Sequence, residues 1–300
     1  MLKTRIVTAV FLLAGLSCAL FFFPPMAWIA CCALICAVAA WEWGGLAGWN
    51  GKARIVYAAM LGVACFALGF PISIVEKSAY AAQWLSGAWK GAEMAAGGAF
   101  MEAWFHGVLL LELLAVAFWL LVVPFWLRHK WPLRAWSAAA VGVLVLVPST
   151  FVFVLLRHFG PVAVLAAAAT VWVADTAAYF SGRAFGQRKL APSISPGKTW
   201  AGAVGAMLGV MLYGSAVFIA AARGASASVL VPLVLLQPLF IGLSALSIVG
   251  DLFESLLKRQ AGVKDSSHLL PGHGGVLDRI DSLTSTLPVA GLFLLLFHFY

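Results

Sequence analysis

Between Ser255 and Asp281 the chain reads SLLKRQAGVKDSSHLLPGHGGVLDRID. From Lys258 onward this stretch holds seven of the chain's thirty charged residues (19 basic, 11 acidic), and it is flanked by apolar runs. Asp251, Asp278 and Asp281 offer hard oxygen ligands, and Lys258, Arg259, Lys264 and Arg279 are cations of the kind that bind phosphate. Mg²⁺ takes a few carboxylates, some waters and a substrate's own phosphate oxygens. Arg grips phosphate through two parallel hydrogen bonds, whereas Lys acts as a point charge. Together these residue types suit a metal-bridged polyphosphate. If SIVGDLFESLLKRQ is helical throughout, Asp251, Glu254, Ser255 and Lys258 share one face at i, i+3, i+4 and i+7. Alone, that is the pattern of a solvated face. Here Leu252, Phe253, Leu256 and Leu257 make the other face apolar, so the stripe looks onto headgroups or a cavity. In PGHGGVLDRID, Gly272, Gly274 and Gly275 permit positive φ or close approach to a ligand. His273 can donate to a phosphate or titrate beside it. Asp278 and Asp281 point the same way from the start of the last helix. A helix N-terminus attracts acids by itself, but that does not explain glycines around a histidine or Arg279 between the acids.

A further constellation is VADTAAYFSGRAFGQRKLAPSISPGKTWAG, residues 173–202. Asp175 lies inside an apolar run, about 9 Å from its end at ~1.5 Å per residue. A carboxyl at that depth normally faces a cavity or a partner. Tyr179 follows one turn on, and then come Arg183, Arg188, Lys189, Ser195, Lys198 and Thr199 with no acid among them. Positive-inside topology accounts for Arg188 and Lys189, while SPGKT has the residues of an oxyanion-binding turn. The chain has no complete GxxxxGK[ST], so a P-loop is not indicated. Asp175 is the nearest acid in sequence to Lys198 and is expected to pair with it.

The elements that must position these groups are membrane helices. The 300 residues are 63% hydrophobic and 10% charged, with a mean hydropathy of +1.01. A water-facing domain carries about a quarter charged residues. The length allows roughly eight to ten spans of about 20 residues. Apolar runs place nine, near 6–23, 26–41, 55–75, 107–127, 135–156, 161–180, 201–222, 228–249 and 283–299. The fold class is therefore all-α and polytopic, with residues 1–160 forming about five N-terminal spans. Residues 161–300 form a catalytic membrane part with loops 181–200 and 250–282. All five aspartates lie between Asp175 and Asp281, in that second part. Lys and Arg fall on alternate connections, which puts the N-terminus and both loops in the cytoplasm. The connection near 76–106 falls outside. The basic start reads as a retained span rather than a cleaved signal. The net charge of +8 follows from topology, not from nucleic-acid binding. Cys18, Cys31, Cys32, Cys36 and Cys65 form no zinc or disulfide pattern and read as packing residues.

The stretch from Ser255 to Asp281 resembles the signature of the phosphatidate cytidylyltransferase (CDP-diacylglycerol synthase) family along its whole length. The matching residues are Ser255, Lys258-Arg259, Lys264-Asp265, Pro271, His273-Gly274-Gly275, Asp278-Arg279 and Asp281. Asp175, Tyr179, Gly182, Gly186, Ser195-Pro196 and Lys198-Thr199-Trp200 are also similar to that family. Gly197 and Ala201 depart from it, standing where a lysine and a glutamate are common. The resemblance implies that CTP and phosphatidate give CDP-diacylglycerol and pyrophosphate, with Mg²⁺ as one ion or two. On that reading Asp251 and Asp278 hold the metal, with Asp281 as an alternate ligand. Lys258, Arg259, Lys264 and Arg279 would hold phosphates, and Asp265 would belong to the catalytic set. His273 would hold pyrophosphate or the lipid phosphate. Asp175, Tyr179, Ser195, Lys198, Thr199, Ser255, Gly274 and Gly275 would line the substrate site. The partners implied are CTP, phosphatidate and the bilayer of a bacterial-type inner membrane, with a homodimer left open. Two other readings remain: a CTP-dependent lipid kinase, which releases CDP, and an ion-coupled transporter using Asp175.

Overall fold

The computed structural model describes residues 2–77, 98–222 and 230–299. In chain order the helices are α1 Leu2–Phe22, α2 Pro25–Leu46, α3 Gly51–Lys77 and α4 Gly98–Ala117, and α4 continues through a π-helical turn, Phe118–Val122, into α5 Val123–His129. Next come α6 Ala135–His158, α7 Pro161–Phe185, the strands β1 Lys189–Ala191 and β2 Ser195–Thr199, then α8 Trp200–Ala221, α9 Leu230–Gln260 and α10 Leu277–Phe299. Among the described residues, eight helices are long and apolar enough to cross a membrane, and Val7–Phe22 is a shorter apolar helix. The first expected span is thus the short one. Most of the expected outer connection near 76–106 lies outside the described residues.

Local sequence explains the breaks. Pro25 and Pro161 open α2 and α7 at the first helical position, where a missing N–H costs nothing. Pro124 has no N–H for the Leu120 carbonyl and crowds it, and the turn just before it widens into the π form. SPGKT is not the oxyanion-binding turn expected: it is strand β2, antiparallel to β1 with Lys189 opposite Thr199 and Ala191 opposite Ser195. Pro196 and Gly197 disfavour helix there, until the Thr199 hydroxyl caps α8 by accepting from Gly202 N at 3.1 Å.

Helix α9 has 31 residues, about 46 Å at ~1.5 Å per residue, against a hydrocarbon core of about 30 Å. The expected span ending near 249 therefore runs on as one helix, carrying the Asp251–Lys258 face beyond the apolar slab. The largest buried cluster draws on both expected parts of the chain. Cys36 and Trp43 of α2 and Tyr57 of α3 join Trp119, Trp126 and Leu146, together with Phe253, Leu257 and Leu277.

The connections rich in Lys and Arg meet at one end of the bundle. Gln260 Nε2 donates to the carbonyls of Lys130 and Trp131 at 3.1 and 3.0 Å. Lys198 reaches Asp251, and Thr8 Oγ1 donates to Pro271 O at 2.9 Å.

Gly142 on α6 holds this end together by lacking a side chain. A Cβ there would stand 2.4 Å from the Tyr57 hydroxyl and 2.8 Å from Trp43 Nε1. Those two groups donate to Ala139 O and Ala138 O at 2.8 and 2.9 Å. Gly142→Val should therefore destabilise the protein by about 1–3 kcal/mol through overpacking, read as a lower Tm in detergent. Gly107→Ala, whose new Cβ meets nothing within 4 Å, should leave Tm unchanged.

Candidate active site

The signature loop is shaped by carboxylates that turn inward. Asp278 Oδ2 accepts from Ser266 N, Ser266 Oγ and Gly275 N at 2.8, 2.8 and 2.7 Å. Its Oδ1 accepts from Lys258 Nζ at 2.6 Å, and Lys258 also reaches Glu254 Oε2 at 2.6 Å. The three side chains are 4%, 12% and 5% exposed, respectively. A buried charge must be paired, and here one lysine serves two carboxylates. Oδ2 of Asp278 is thus filled by the loop, while its Oδ1 has the single donor Lys258. Lys258 is likewise committed, and it is not the free phosphate-binding cation expected. Gly274 has φ +81°, and a Cβ there would stand 2.7 Å from Asp278 Oδ2. A Cβ on Gly275 would meet Ser266 Oγ at 2.1 Å and Glu42 Oε1 at 2.5 Å. These two glycines make room for the protein's own carboxylates, and Gly274 also lines a cleft.

Sequence reading missed Glu42. It is fully buried on α2 and accepts from Ser267 Oγ at 2.6 Å and Ser266 Oγ at 3.2 Å. It also accepts from Val276 N and Leu277 N at 3.0 and 2.6 Å. With Asp278 on Gly275 N, the amides of Gly275, Val276 and Leu277 leading into α10 are all taken by carboxylates.

Two clefts flank the clamp. The first, about 360 Å³, is lined by Asp175, Tyr179, Arg183, Lys198, Thr199 and Asp251, with Ala174, Ala178, Ala203, Ala206 and Ile248 among its apolar wall. Lys198 Nζ lies 2.5 Å from Asp251 Oδ2; Asp251, not Asp175, is the partner of this lysine. Asp251 Oδ1 accepts from Ser255 Oγ at 3.1 Å, so Ser255 orients a carboxylate and lines neither cleft. Asp175 and Asp281 both lie within electrostatic reach of Asp251, and Asp175 also senses Lys198 and Arg279. Asp281 comes near because α9 and α10 pack closely at Gly250, where a Cβ would stand 2.7 Å from Asp281 O and 2.4 Å from Ser285 Oγ. Ser282 and Ser285 stitch that crossing by donating to Ser247 O and Leu246 O at 3.0 and 2.8 Å. Thr199 lines the first cleft with its hydroxyl committed to the α8 cap, and Ser195 lines neither cleft.

The second cleft, about 550 Å³, is lined by Lys264, Asp265, His268, His273 and Arg279 with Leu270, Pro271, Gly272 and Gly274. His268 was not foreseen, although it stands five residues before His273 in the same loop. His273 Nδ1 is buried with no hydrogen-bond partner among the described residues. Arg259 is exposed, donates to Val263 O at 3.4 Å and stays outside this cleft.

Among the described residues, no three His, Cys, Asp or Glu side chains form a ready metal cage. By donor type Asp251 would suit a divalent cation; Asp281 is in electrostatic reach of it but lines neither cleft, and Lys198 holds the positive charge beside Asp251. Mg²⁺ is commonly bound by one or two carboxylates plus substrate phosphates, so one or two suffice.

A polytopic helical bundle with a cation-lined cleft beside a carboxylate-rich, apolar-walled one defines a membrane enzyme of phosphate chemistry. The chain matches the cytidylyltransferase family over residues 3–297, and it belongs to that family. It is 38% identical to a phosphatidate cytidylyltransferase of Pseudomonas aeruginosa over 298 residues, covering 96% of this chain and 95% of that protein. It is 34% identical to one of Haemophilus influenzae over 313 residues, covering 98% of each. A shorter match, 36% over 168 residues, relates it to one of Thermotoga maritima and covers 55% of this chain and 62% of that protein.

Lys258→Met should unfold the clamp, since stranding partners of a buried ion pair costs about 3–5 kcal/mol. The expected readout is a marked fall in Tm in detergent. Lys264→Met, in the open cleft, should leave Tm unmoved. Equal Tm values for the two variants would remove Lys258 from its structural role.

Proposed function

We propose that the protein transfers the cytidylyl group of CTP to phosphatidate, giving CDP-diacylglycerol and pyrophosphate. The observation that carries this reading is a pair of unlike clefts in a chain of this family, linked by the charge of Arg279 in one acting on Asp175 in the other. The polar cleft supplies Lys264, His268, His273 and Arg279 for a triphosphate. The other cleft has apolar walls suited to a lipid, with Lys198 and Arg183 for its phosphate.

A phosphatidate oxygen attacks the α-phosphorus of CTP, a new P–O bond forms, and the bond to the bridging β-phosphate oxygen breaks. The electron pair leaves with pyrophosphate. A phosphate monoester is largely ionised near neutral pH, so the residues have no strong base to supply; they position the groups and offset charge. Lys198 and Arg279 bring positive charge to the acceptor and the triphosphate from opposite sides of the carboxylate cluster. Asp251 and Asp281 would hold a divalent cation, Mg²⁺ by donor type, which when bound neutralises phosphate charge and polarises the reacting phosphorus. Asp175 is a third carboxylate in electrostatic reach of Asp251 and would serve a second ion.

The gathering of Lys and Arg connections at the site's end supports a cytoplasmic site in a bacterial-type inner membrane. A cysteine at the exposed hairpin turn, Ser193→Cys in a Cys-free background, should react with impermeant maleimide in inverted vesicles and not in intact cells. Labelling in intact cells would reverse the topology.

The decisive assay incubates purified protein with labelled CTP, phosphatidate and Mg²⁺ and identifies the products. Label from the α-phosphate in extracted CDP-diacylglycerol, with pyrophosphate released, is expected. Formation of CDP would instead indicate γ-phosphoryl transfer by a lipid kinase. Asp251→Asn should lower kcat more than tenfold, above about 1.4 kcal/mol of barrier, in a folded protein. A smaller loss would remove Asp251 from the reacting centre.

A further inference from the structure

We propose that Glu42 is a positioning residue for the transfer reaction. From α2, outside the signature, its carboxylate holds loop 261–276 in the shape that turns Lys264, His268 and His273 into the polar cleft. Glu42 lines neither cleft, so it acts through the loop and does not touch substrate.

Each carboxylate oxygen receives one backbone N–H. Oε1 takes Val276 N and also Ser267 Oγ, and Oε2 takes Leu277 N and lies 3.2 Å from Ser266 Oγ, whose one proton it shares with Asp278 Oδ2. The residue is 0% exposed, and the ion pairs among the described residues do not include it. Its charge is therefore answered by the loop and the helix end alone. If the loop lifts, an uncompensated carboxylate remains beside Ala39, Ala40 and Trp43, all 1% exposed or less. Burying such a charge without partners is strongly unfavourable, so the loop has no cheap half-open state. Ser266 joins this clamp to the second one, because its hydroxyl also reaches Asp278 Oδ2. Two carboxylates far apart in sequence thus fix one loop, and that loop carries three of the four cationic side chains of the polar cleft.

The chemistry makes glutamine a sharp probe. A hydroxyl can rotate to accept a hydrogen bond, but a backbone N–H cannot. In Glu42→Gln the amide NH₂ must face either Val276 N or Leu277 N, donor against donor. The side chain keeps its size, so packing in the core is preserved while the loop loses one anchor.

This proposal rests on the transfer reading, and the test separates the two. The unsubstituted protein, Glu42→Gln and Ser267→Ala are compared in detergent for kcat, KM for CTP, and amide hydrogen exchange. For Glu42→Gln the expected result is a kcat about tenfold or more lower, with KM for CTP changed by no more than about twofold. Amides of 266–277 should exchange about tenfold faster, while those of 246–257 in α9 keep their protection. Ser267→Ala, which removes one anchor at little risk to folding, should show the same local pattern at smaller size. Wild-type kcat and exchange in Glu42→Gln would overturn the proposal. So would exchange rising throughout the chain, which is the mark of a residue that only stabilises the fold. If Glu42→Gln does not fold, wild-type kcat and exchange in Ser267→Ala overturn it instead. If the unsubstituted protein turns over no CTP, the transfer reading falls together with the catalytic part of this proposal. The exchange data would still decide whether Glu42 clamps the loop.

Discussion

A charge taken out of water must be answered where it lies, and the geometry of this site follows from that requirement. Lys258 stands between Glu254 and Asp278. Asp278 in turn gathers Ser266 and Gly275. The amide of Leu277 is answered from another helix by Glu42. The result joins the end of α9, the loop and the start of α10 into one unit. Asp251 and Asp281, the carboxylates proposed for a cation, stand on the two helices so joined, one turn or so from the residues that do the joining.

The division of labour among acids is then physical. Acids facing N–H groups and Lys258 build the scaffold, and acids with spare oxygen valence face the cleft. Asp251 gives one oxygen to Ser255 and one to Lys198, both side-chain groups that can turn elsewhere. Asp278 gives one oxygen to two backbone amides, which cannot. That difference in the donors, rather than any difference in the carboxylates, separates a residue available to a metal or a substrate from one that is not.

Much of the architecture was legible because it is periodic. The apolar runs located the helices, and the i, i+4, i+7 spacing of Asp251, Ser255 and Lys258 placed them on one helical face before any coordinates. What was not legible is what periodicity cannot carry. Glu42 meets Ser266 across 224 residues, and an isolated glutamate in an apolar helix has no local mark of its partner. Asp278 and Asp281 look alike in sequence, three residues apart on one helix start, yet one caps the loop and the other lies near Asp251. Glycines beside a histidine read as a ligand cradle, but the bodies they admit are Glu42 and Asp278. Lys198 paired with Asp251 rather than Asp175 because strand β2 delivers it to α9, and a short extended segment flanked by proline and glycine has little signal in sequence.

The length of α9 has a mechanical consequence. Its 31 residues form a single rod from the apolar interior to Asp251 in the wall of the first cleft. A helix longer than the slab that contains it accommodates by tilting, bending or protruding, and Pro238 gives this one a place to bend. In a thicker bilayer less of α9 would protrude, and in a thinner one more, so this helix would pass a change of membrane thickness to the level of Asp251 as tilt or bend.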